Sequence, residues 1–320
     1  MTVRILPPDN NAQGPSSCDA RIPLGSNPCL PLIISGTFGW EAVSIETEDI
    51  KGETLRFGAC RKGQKIVMLP HFSYGPASPS EAVSGVIREL KMQGYRCEWR
   101  TLSEDSSSCL KNKATTLLHL SADTGSQLAG LNSGVRYKIK KSKRNGITVV
   151  RGRTELLNDF YSVYSRRMHE LGSPSLPKRW YNDLLRLYNN GDVSVWCAYL
   201  GKKAIGAAFV LEYQGFYEAC WFATLSKYNR LYTSYGLIWE MVCYAISRSG
   251  KIFSLGRSTT GSSVHRYKKQ WGGEDVGLCW NYSHQPRLSV RNLRFISQCW
   301  KLIPYPLARL IGPWFASRVY

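Results

Sequence analysis

The chain has 320 residues and is strongly basic: 42 Lys and Arg stand against 23 Asp and Glu, giving a net charge of +19. A hydrophobic content of 43% predicts a globular protein with a full core and excludes a disordered chain. The charge favours acidic partners, namely nucleic acid, nucleotide-linked substrates or an anionic membrane face. Composition alone does not choose among them.

The ten cysteines include no pair at CxxC spacing, which argues against a zinc or redox site and predicts a reducing compartment. The first residues lack the apolar core of a signal peptide. No uncharged apolar stretch reaches the roughly 18 residues that a membrane-spanning helix needs. We therefore predict a cytoplasmic protein that either stays in solution or binds peripherally at the inner membrane face.

In chain order, residues 1–31 are rich in Pro, Asn, Ser and Gly and are predicted to be irregular, apart from a short strand at 3–6. The elements predicted next are a hairpin over 55–69, a helix over 80–94, strands over 97–102 and 115–120, a helix over 126–142 and a strand over 147–150. The helix at 80 begins with a capping serine and ends at a glycine.

The second half repeats this order. The elements predicted there are helices over 155–171 and 178–188, strands over 193–200, 204–213 and 216–224, a helix over 233–249 and a strand over 251–255. A repeated order of helices, antiparallel strands, a helix and a further strand predicts two related α/β domains. The predicted divisions are an irregular lead-in at 1–31, domains at 32–150 and 151–285, and a basic amphipathic tail at 286–320.

The segment 253–272, FSLGRSTTGSSVHRYKKQWG, combines an apolar strand, a loop of Gly, Ser and Thr, and a basic-aromatic cluster. Arg257 follows the strand, where α/β sheets commonly place ligand contacts. Ser258 and Thr259 offer hydroxyl groups, and Gly261 permits close backbone approach. Fixed cations and backbone N–H groups stabilise negative oxygen, so this segment predicts an anion or acyl site. A solvated surface loop is the alternative.

Two kinds of chemistry are available in this segment. His265 is a candidate base because its charge changes near neutral pH, although a histidine without a visible partner is more often structural. Lys268 or Lys269 could neutralise the oxyanion of a tetrahedral intermediate, a contact typically worth about 3 kcal/mol in barrier height. Paired carboxylates for glycoside chemistry are not evident, since Glu212, Glu218 and Glu240 lie on separate elements.

A basic linker lies at 135–153, with eight Lys and Arg residues and no acid. It predicts a phosphate-binding stripe, including Arg136 and Lys140, for tRNA or a nucleotide-linked glycan. The solvated face of an interdomain helix explains the same pattern. Only Tyr137 is available there for base stacking, so sequence-specific RNA recognition is not supported.

The segment 276–320, which ends in the predicted tail, contains six arginines and lysines, no acid, and many Leu, Ile, Phe and Trp residues, interrupted by Pro304, Pro306 and Pro313. Two interpretations remain open. The tail packs on the domain as a pair of short helices, or it attaches to an anionic membrane, where each basic side chain contributes on the order of 1 kcal/mol.

Several motifs together resemble the FemAB-related proteins of the acyl-CoA N-acyltransferase (GNAT-like) superfamily, and most closely those associated with PEP-CTERM/exosortase exopolysaccharide loci. They are LPHFSYGP at 69–76, VRYKIKKSKRNG at 135–146, FYSVYSRRMHELGSP at 160–174, YGLIWEMVCYAISRSGKIFSLGRSTTGS at 235–262, YKKQWGGE at 267–274 and KLIPYPLARLIGPW at 301–314. The family strand usually reads FDFGRS, and Ser254 stands here in place of its acid.

The resemblance implies tandem GNAT-like domains, each a mixed, mostly antiparallel sheet flanked by helices, and an N-acyl- or aminoacyltransferase of cell-envelope or exopolysaccharide biosynthesis. It implies no bound cofactor or metal, an acyl-CoA or aminoacyl-tRNA donor, and a nucleotide- or lipid-linked glycan as acceptor. By motif, Arg257 and Ser258 line the site, Lys268 pairs with Tyr267, and Tyr74 and Trp271 bind substrate. The alternative is a non-catalytic, membrane-associated scaffold of a polysaccharide assembly system, which the serine at 254 favours.

Overall fold

The computed structural model describes residues 3–8, 23–48, 52–76, 80–103, 112–284 and 290–317. Its strands are β1 (Arg4–Leu6), β2 (Glu41–Glu48), β3 (Thr54–Lys62), β4 (Lys65–Val67), β5 (Arg96–Ser103), β6 (Lys113–His119), β7 (Ile147–Gly152), β8 (Val193–Leu200), β9 (Lys203–Tyr213), β10 (Phe216–Thr224), β11 (Ile252–Thr259) and β12 (Glu274–Tyr282). Its α-helices are α1 (Cys29–Phe38), α2 (Ser80–Met92), α3 (Thr124–Gly130), α4 (Ser133–Arg144), α5 (Leu157–Glu170), α6 (Lys178–Leu187), α7 (Thr233–Ser247), α8 (Ser263–Lys269), α9 (Val290–Leu302) and α10 (Tyr305–Ala316).

The strands form one twelve-stranded sheet in the order β1-β2-β3-β4-β5-β12-β6-β11-β10-β9-β8-β7. All neighbours are antiparallel except β4 with β5 and β10 with β11. The predicted fold class, an α/β protein with a mixed, mostly antiparallel sheet flanked by helices, is confirmed.

The same order of elements occurs twice. In the first half β2, β3 and β4 form a meander, and α2 then crosses over to β5. In the second half β8, β9 and β10 form a meander, and α7 crosses over to β11. Each crossover helix returns the chain in the same direction, which makes the last pair of each half parallel.

The two halves exchange strands at the centre of the sheet. β6 precedes the second half in the chain but pairs with β11 and β12. β12 follows the second half but pairs with β5 of the first half. The predicted domain boundaries stay a prediction, and the sheet is continuous across them.

Helices cover both faces of the second half of the sheet. On one face α7 buries Leu237, Met241 and Ala245, which recur every four residues and so lie on one side of the helix. On the other face α5 and α6 pack Phe160 and Tyr181 against Phe209 of β9. The walls of any site between β10 and β11 therefore rest on tightly packed aromatic and aliphatic side chains.

Four sequence-based predictions need correction. The predicted helix over 126–142 is two helices, because Asn132 caps α4 by accepting a hydrogen bond from the Val135 N–H at 2.9 Å. β11 runs to Thr259 rather than ending near 255, so Arg257 and Ser258 lie in a strand. α8 and β12 follow it and were not predicted. The lead-in, predicted to be irregular apart from a strand at 3–6, contains that strand as β1 but also the start of α1, which was not predicted; residues 9–22 lie outside the described part of the chain.

The predicted cytoplasmic location is based on the cysteines and on the lack of a membrane-spanning segment, and the structure describes both features in part. Seven cysteines are free thiols, and Cys279 is disulfide-bonded. Among the helices in the described ranges, none is both long and apolar enough to cross a membrane. The cytoplasmic location stays a prediction.

We predict that Leu117→Ala in β6 lowers the free energy of unfolding by about 2–5 kcal/mol, because the side chain is completely buried at the centre of the shared sheet. Leu200→Ala, at the more exposed end of β8, is the control and should cost less than about 1 kcal/mol. Urea denaturation measures both. An equal decrease in the free energy of unfolding for both variants would contradict the central position of β6.

Candidate functional site

A cleft opens where two neighbouring parallel strands separate. β10 and β11 are paired from Phe216 with Ile252 to Glu218 with Ser254. Immediately after that pair, register shifts occur in β10 against β9 and in β11 against β6. Beyond them lies a cleft of about 680 Å³, with Ala219, Cys220 and 222–224 on one wall and Leu255 to Arg257 on the other. Backbone polar groups on separating strands need other partners, and a bound ligand can supply them.

The corresponding gap in the first half is filled by the chain itself. After β4, the Met68 N–H donates to the carbonyl oxygen of Glu98 at 3.0 Å, and the Gly75 N–H donates to that of Arg100 at 2.8 Å. The segment 68–75 thus continues along β5, with Phe72 and Tyr74 buried in the core. The two halves share an element order, but the described cleft belongs to the second.

The cleft lining carries positive charge. Among the described residues that line it are four basic side chains and no acidic one; the basic residues are Lys138, Arg167, Arg257 and Lys268. Ser234 and Tyr235, in the first turn of α7, also line it. The N-terminus of a helix carries partial positive charge and unpaired N–H groups, so the arrangement suits an anionic ligand.

Lys268 is the buried cation of the cleft. It lies on α8, only 9% exposed, and its Nζ donates to the carbonyl oxygens of Gly256 at 2.6 Å and Arg257 at 3.0 Å. An ammonium group has three N–H donors, so one remains for a ligand. Burial lowers the pKa of Lys268 to about 8, and the charge of Glu218 opposes that shift.

A buried carboxylate lies beneath the cleft. Glu218 of β10 is 3% exposed and accepts a hydrogen bond from the Tyr74 hydroxyl. Burial raises the pKa of Glu218 to about 7, against the lowering effects of the Tyr74 hydrogen bond and the Lys268 charge. A methyl group at Gly256 would lie 3.9 Å from Glu218 Oε1 and 4.0 Å from Lys268 Nζ, so both charged groups border the strand at this glycine.

Ser254 is part of the same cluster. Its Oγ accepts a hydrogen bond from the Gly256 N–H at 3.1 Å and lies 3.1 Å from the Thr115 Oγ1. Glu218 is its register partner on the neighbouring strand. A carboxylate is therefore present beside the position where the serine stands. Sequence reasoning passed over Glu218 because the parallel pairing of β10 with β11 cannot be read from spacing along the chain.

The structure brings together several of the predicted site residues. Lys268, Arg257 and Tyr267 line the cleft, and Arg257 stacks its guanidinium 5.6 Å from the Trp280 ring. Tyr74 lies at the buried end through its bond to Glu218. Trp271 is buried and stacks 5.9 Å from Tyr235, so it supports the wall.

His265 is not among the residues that line the cleft. Its Nδ1 accepts a hydrogen bond from the Gly261 N–H at 3.0 Å, and its Nε2 lies 2.9 Å from Asp275 Oδ2. Both ring nitrogens are therefore engaged: Nε2 joins α8 to β12, and Nδ1 fixes the turn before α8. Lys269, the other candidate cation, also pairs with Asp275, at 3.3 Å. These contacts do not support the predicted role of His265 as a base.

The remaining predicted residues also lie outside the cleft lining. Ser258 is buried, with its Oγ 3.4 Å from the Ala114 carbonyl oxygen, and Thr259 accepts a hydrogen bond from Lys113 at 2.5 Å. Gly261 has a positive φ of 76° in the turn before α8. Arg136 donates to the Leu131 carbonyl oxygen at 2.5 Å, whereas Lys140 is exposed on α4.

Two further residues of the cleft lining are Lys138, which belongs to the basic linker predicted as a phosphate-binding stripe, and Arg167, which was not predicted as a site residue. Lys138 of α4 donates to the Tyr235 hydroxyl and to Gln270 Oε1, both at 3.1 Å. Arg167, at the end of α5, pairs with Glu170 at 2.8 Å. Helical periodicity predicts which side of its own helix each of these side chains occupies. It does not predict that the two helices meet at one cleft. Within the described ranges, no group of His, Cys, Asp and Glu is arranged to hold a metal ion.

We predict that Glu218→Gln changes how stability depends on pH. Because the folded-state pKa of about 7 lies above the ordinary 4.5, the carboxyl stabilises the fold fully below about pH 4.5, and this contribution is lost as pH rises through about 7. The variant lacks that loss, so it should gain on the order of 3 kcal/mol relative to the parent across this window. Urea denaturation on both sides of the window measures it. An exposed-carboxylate control, Glu240→Gln, should show no such gain, and a parallel result for both variants would contradict a buried Glu218.

Residues 131–269 match the family model described as an acetyltransferase (GNAT) domain. This range begins just before α4 and ends with α8, so it contains both cleft walls and Lys268. No curated protein matches the sequence.

Three solved structures are similar over most of the chain. FemX has a TM-score of 0.56 at 11% identity, covering 82% of this chain and 92% of that one. The C-terminal domain of a putative lysylphosphatidylglycerol synthetase from Agrobacterium fabrum has a TM-score of 0.55 at 9% identity, covering 84% and 90%. L-PGS from Bacillus licheniformis has a TM-score of 0.52 at 12% identity, covering 88% and 96%. The chain thus shares the fold of these three proteins, and its residues 131–269 are similar to the GNAT acetyltransferase domain.

Proposed function

We propose that this protein is an acyl- or aminoacyltransferase that joins a donor's acyl group to an amine in the cleft between β10 and β11. The observation that carries the proposal is the buried Lys268 ammonium, which faces a cleft lined by basic side chains at the point where the two strands separate. The match of this region to an acetyltransferase domain supports it.

Both candidate donors are anionic, because the coenzyme A of acyl-CoA and the backbone of aminoacyl-tRNA carry phosphate groups. Lys138, Arg257 and the first turn of α7 would bind the phosphates, and the separated strand edges would bind an extended acyl arm. We include in the proposal the acceptor class and pathway that the resemblance implies, a nucleotide- or lipid-linked glycan in cell-envelope or exopolysaccharide assembly.

The transfer step needs one cation and no metal-bound water. The acceptor nitrogen attacks the donor carbonyl carbon, so a C–N bond forms and the carbonyl oxygen becomes an oxyanion. The remaining N–H of Lys268 stabilises that oxyanion. When the intermediate collapses, the C–O or C–S bond to the donor breaks, and the proton that the amine loses goes to the leaving oxygen or sulfur, directly or through water.

Glu218 and Tyr74 act through Lys268 and are positioning residues. The carboxylate favours the charged form of the lysine, and the hydrogen bond from Tyr74 favours the charged form of the carboxylate. The pair therefore keeps an ammonium group protonated in a site whose burial would otherwise favour the neutral amine.

We predict that Lys268→Ala lowers kcat by about 10²–10³, because one oxyanion donor is lost. Transfer is followed by mass spectrometry, with acetyl-CoA or aminoacyl-tRNA as donor and amino sugars as acceptors. In the parent, the rate should fall above about pH 8, where Lys268 loses its proton. In Glu218→Gln this fall in rate should occur at lower pH, because the negative charge that favours protonated Lys268 is absent.

Lys269→Ala is the matched control, since this neighbouring lysine is exposed and pairs with Asp275 outside the cleft. It should retain parental activity. Equal rates for the two alanine variants would overturn the role of Lys268. A protein that binds donor but supports no transfer would favour the scaffold alternative instead.

The exposed face of α4 favours aminoacyl-tRNA over acyl-CoA as donor. Lys140, Lys143 and Arg144 are exposed on this helix, and Lys138 of the same helix lines the cleft. These exposed cations lie on another side of α4 from Lys138, so only a long polyanion such as tRNA would reach both them and the cleft, whereas acyl-CoA needs only the cleft itself.

We predict that the parent binds tRNA with an affinity that falls steeply with salt, and that Lys140→Glu with Lys143→Glu weakens binding about tenfold. Fluorescence anisotropy with labelled tRNA measures it. Lys91→Glu on α2 combined with Lys202→Glu in the turn between β8 and β9 is the control, because both lysines are exposed and absent from the cleft lining and the net charge changes by the same amount. Unchanged tRNA binding in the double variant, together with saturable acetyl-CoA binding, would select acyl-CoA as the donor.

A further inference from the structure

The C-terminal helices α9 and α10 expose an unusual share of large apolar side chains. Of the fourteen large hydrophobic residues that are exposed in the described part of the chain, seven lie on these two helices: Phe295, Ile296, Leu302, Leu307, Leu310, Trp314 and Phe315. Single exposed apolar residues are ordinary, but a concentration of this kind marks an interaction surface. We call these seven residues the tail face.

α10 is oriented opposite to an ordinary surface helix. Its buried side consists of Ala308, Gly312 and Ala316, at a spacing of four residues. Leu310 and Trp314 point the other way and are 76% and 55% exposed. A helix stabilised only by packing on its own domain buries its large apolar residues and exposes its small ones. The outward side of α10 is therefore suited to a second apolar environment.

Hydrogen bonds and a cation–π contact hold the segment that joins α9 to α10 against the domain. His169 Nε2 lies 2.8 Å from the Ile303 carbonyl oxygen, and the Ser165 Oγ lies 3.0 Å from the Tyr305 hydroxyl. The Arg166 guanidinium stacks 4.6 Å from the Tyr305 ring. The helices do pack on the domain, as one of the two sequence-based interpretations expects, but this packing uses only their inward side. The outward side is thus presented in a fixed orientation.

The positive charge around the tail face indicates which kind of partner suits this surface. Lys301 and Arg309 are exposed among its apolar residues, and the sequence from 276 to 320 contains no acid. A second copy of the chain would bring positive charge against positive charge, in a protein whose net charge is already +19. An anionic bilayer offers the opposite charge together with an apolar layer, and tryptophan is favoured at such an interface.

The tail face also adjoins the cleft. Leu171 lines the cleft, is itself exposed, and its carbonyl oxygen accepts a hydrogen bond from the Ser297 Oγ of α9 at 3.3 Å. The middle of α9, at Ser297, therefore lies next to the rim at the end of α5. A surface that covered the tail face would approach this side of the cleft.

We propose that the tail face docks on an anionic phospholipid bilayer, and that docking brings the cleft rim to the lipid surface so that the acceptor is presented there on a lipid. The docking itself stands apart from the chemistry of the cleft. The lipid-borne acceptor rests on the proposed transferase function.

The test is flotation of the full-length protein with vesicles. The probes are vesicles of phosphatidylcholine alone and vesicles that also contain phosphatidylglycerol. The tail variant combines Leu302→Ser, Leu310→Ser and Trp314→Ser, which removes three exposed side chains and leaves the buried side of α10 unchanged. The control combines Met92→Ser with Leu187→Ser, two exposed apolar residues on α2 and α6.

We expect the parent and the control to float with the phosphatidylglycerol vesicles, less so as salt rises. The tail variant should bind at least about tenfold more weakly, because both apolar insertion and interfacial tryptophan are lost. Its thermal unfolding should match that of the parent, since the replaced side chains are exposed. Absence of parental binding to either vesicle would overturn the proposal. So would concentration-dependent dimerisation that the tail variant abolishes without any vesicle binding.

A second arm separates docking from catalysis. Lys268→Ala should lose transfer and still float with the vesicles. The tail variant should keep transfer to a soluble amino-sugar acceptor and lose it only for an amine carried by a vesicle lipid. Loss of transfer to both acceptors in the tail variant would overturn the presenting role of the tail face, whereas failure of the parent on every acceptor would count against the transferase proposal alone.

Discussion

The end of pairing between β10 and β11 at Glu218 and Ser254 is the constraint on which the site depends. Parallel strands that stay paired leave no room between them, and strands that separate must find other partners for their backbone groups. In the first half of the chain, the segment after β4 supplies those partners by continuing along β5. In the second half, β10 itself separates from β11 beyond Glu218 and Ser254, and a cleft lies between the two strands. One element order thus produces a filled gap and an open one.

The segment that fills the gap beside β4 also contributes a side chain to the cleft between β10 and β11. The segment that closes the first half carries Tyr74, and the hydroxyl of this residue reaches Glu218 at the base of the second-half cleft. A buried carboxylate is costly unless hydrogen bonds and an opposite charge compensate it. Tyr74 and Lys268 supply these two compensations from the first and the second half of the chain, so the electrostatics of the cleft depend on both halves being folded together.

The position of each charge explains why neighbouring residues differ in role. Lys268 and Lys269 are adjacent in sequence, yet one is buried against the carbonyl oxygens of β11 and the other is exposed and paired with Asp275. Successive helical residues point about 100° apart, so only one of them can face the cleft. The same geometry separates Lys138, which lines the cleft, from Lys140, which faces solvent.

The sequence by itself determined the fold class, most strand and helix positions in the second half, and the segment that carries Lys268, because hydrophobic periodicity and glycine-bounded strands are local signals. It also predicted that Arg257, Tyr267 and Tyr74 would belong to one site. The tertiary structure decided the exchange of β6 and β12 at the sheet centre, the place of Glu218 beside Ser254, and the engagement of both nitrogens of His265. It also decided that the small residues of α10 face inward and the large ones outward. Strand pairing, burial and helix orientation are fixed by contacts between distant segments, and spacing along one chain contains no record of them.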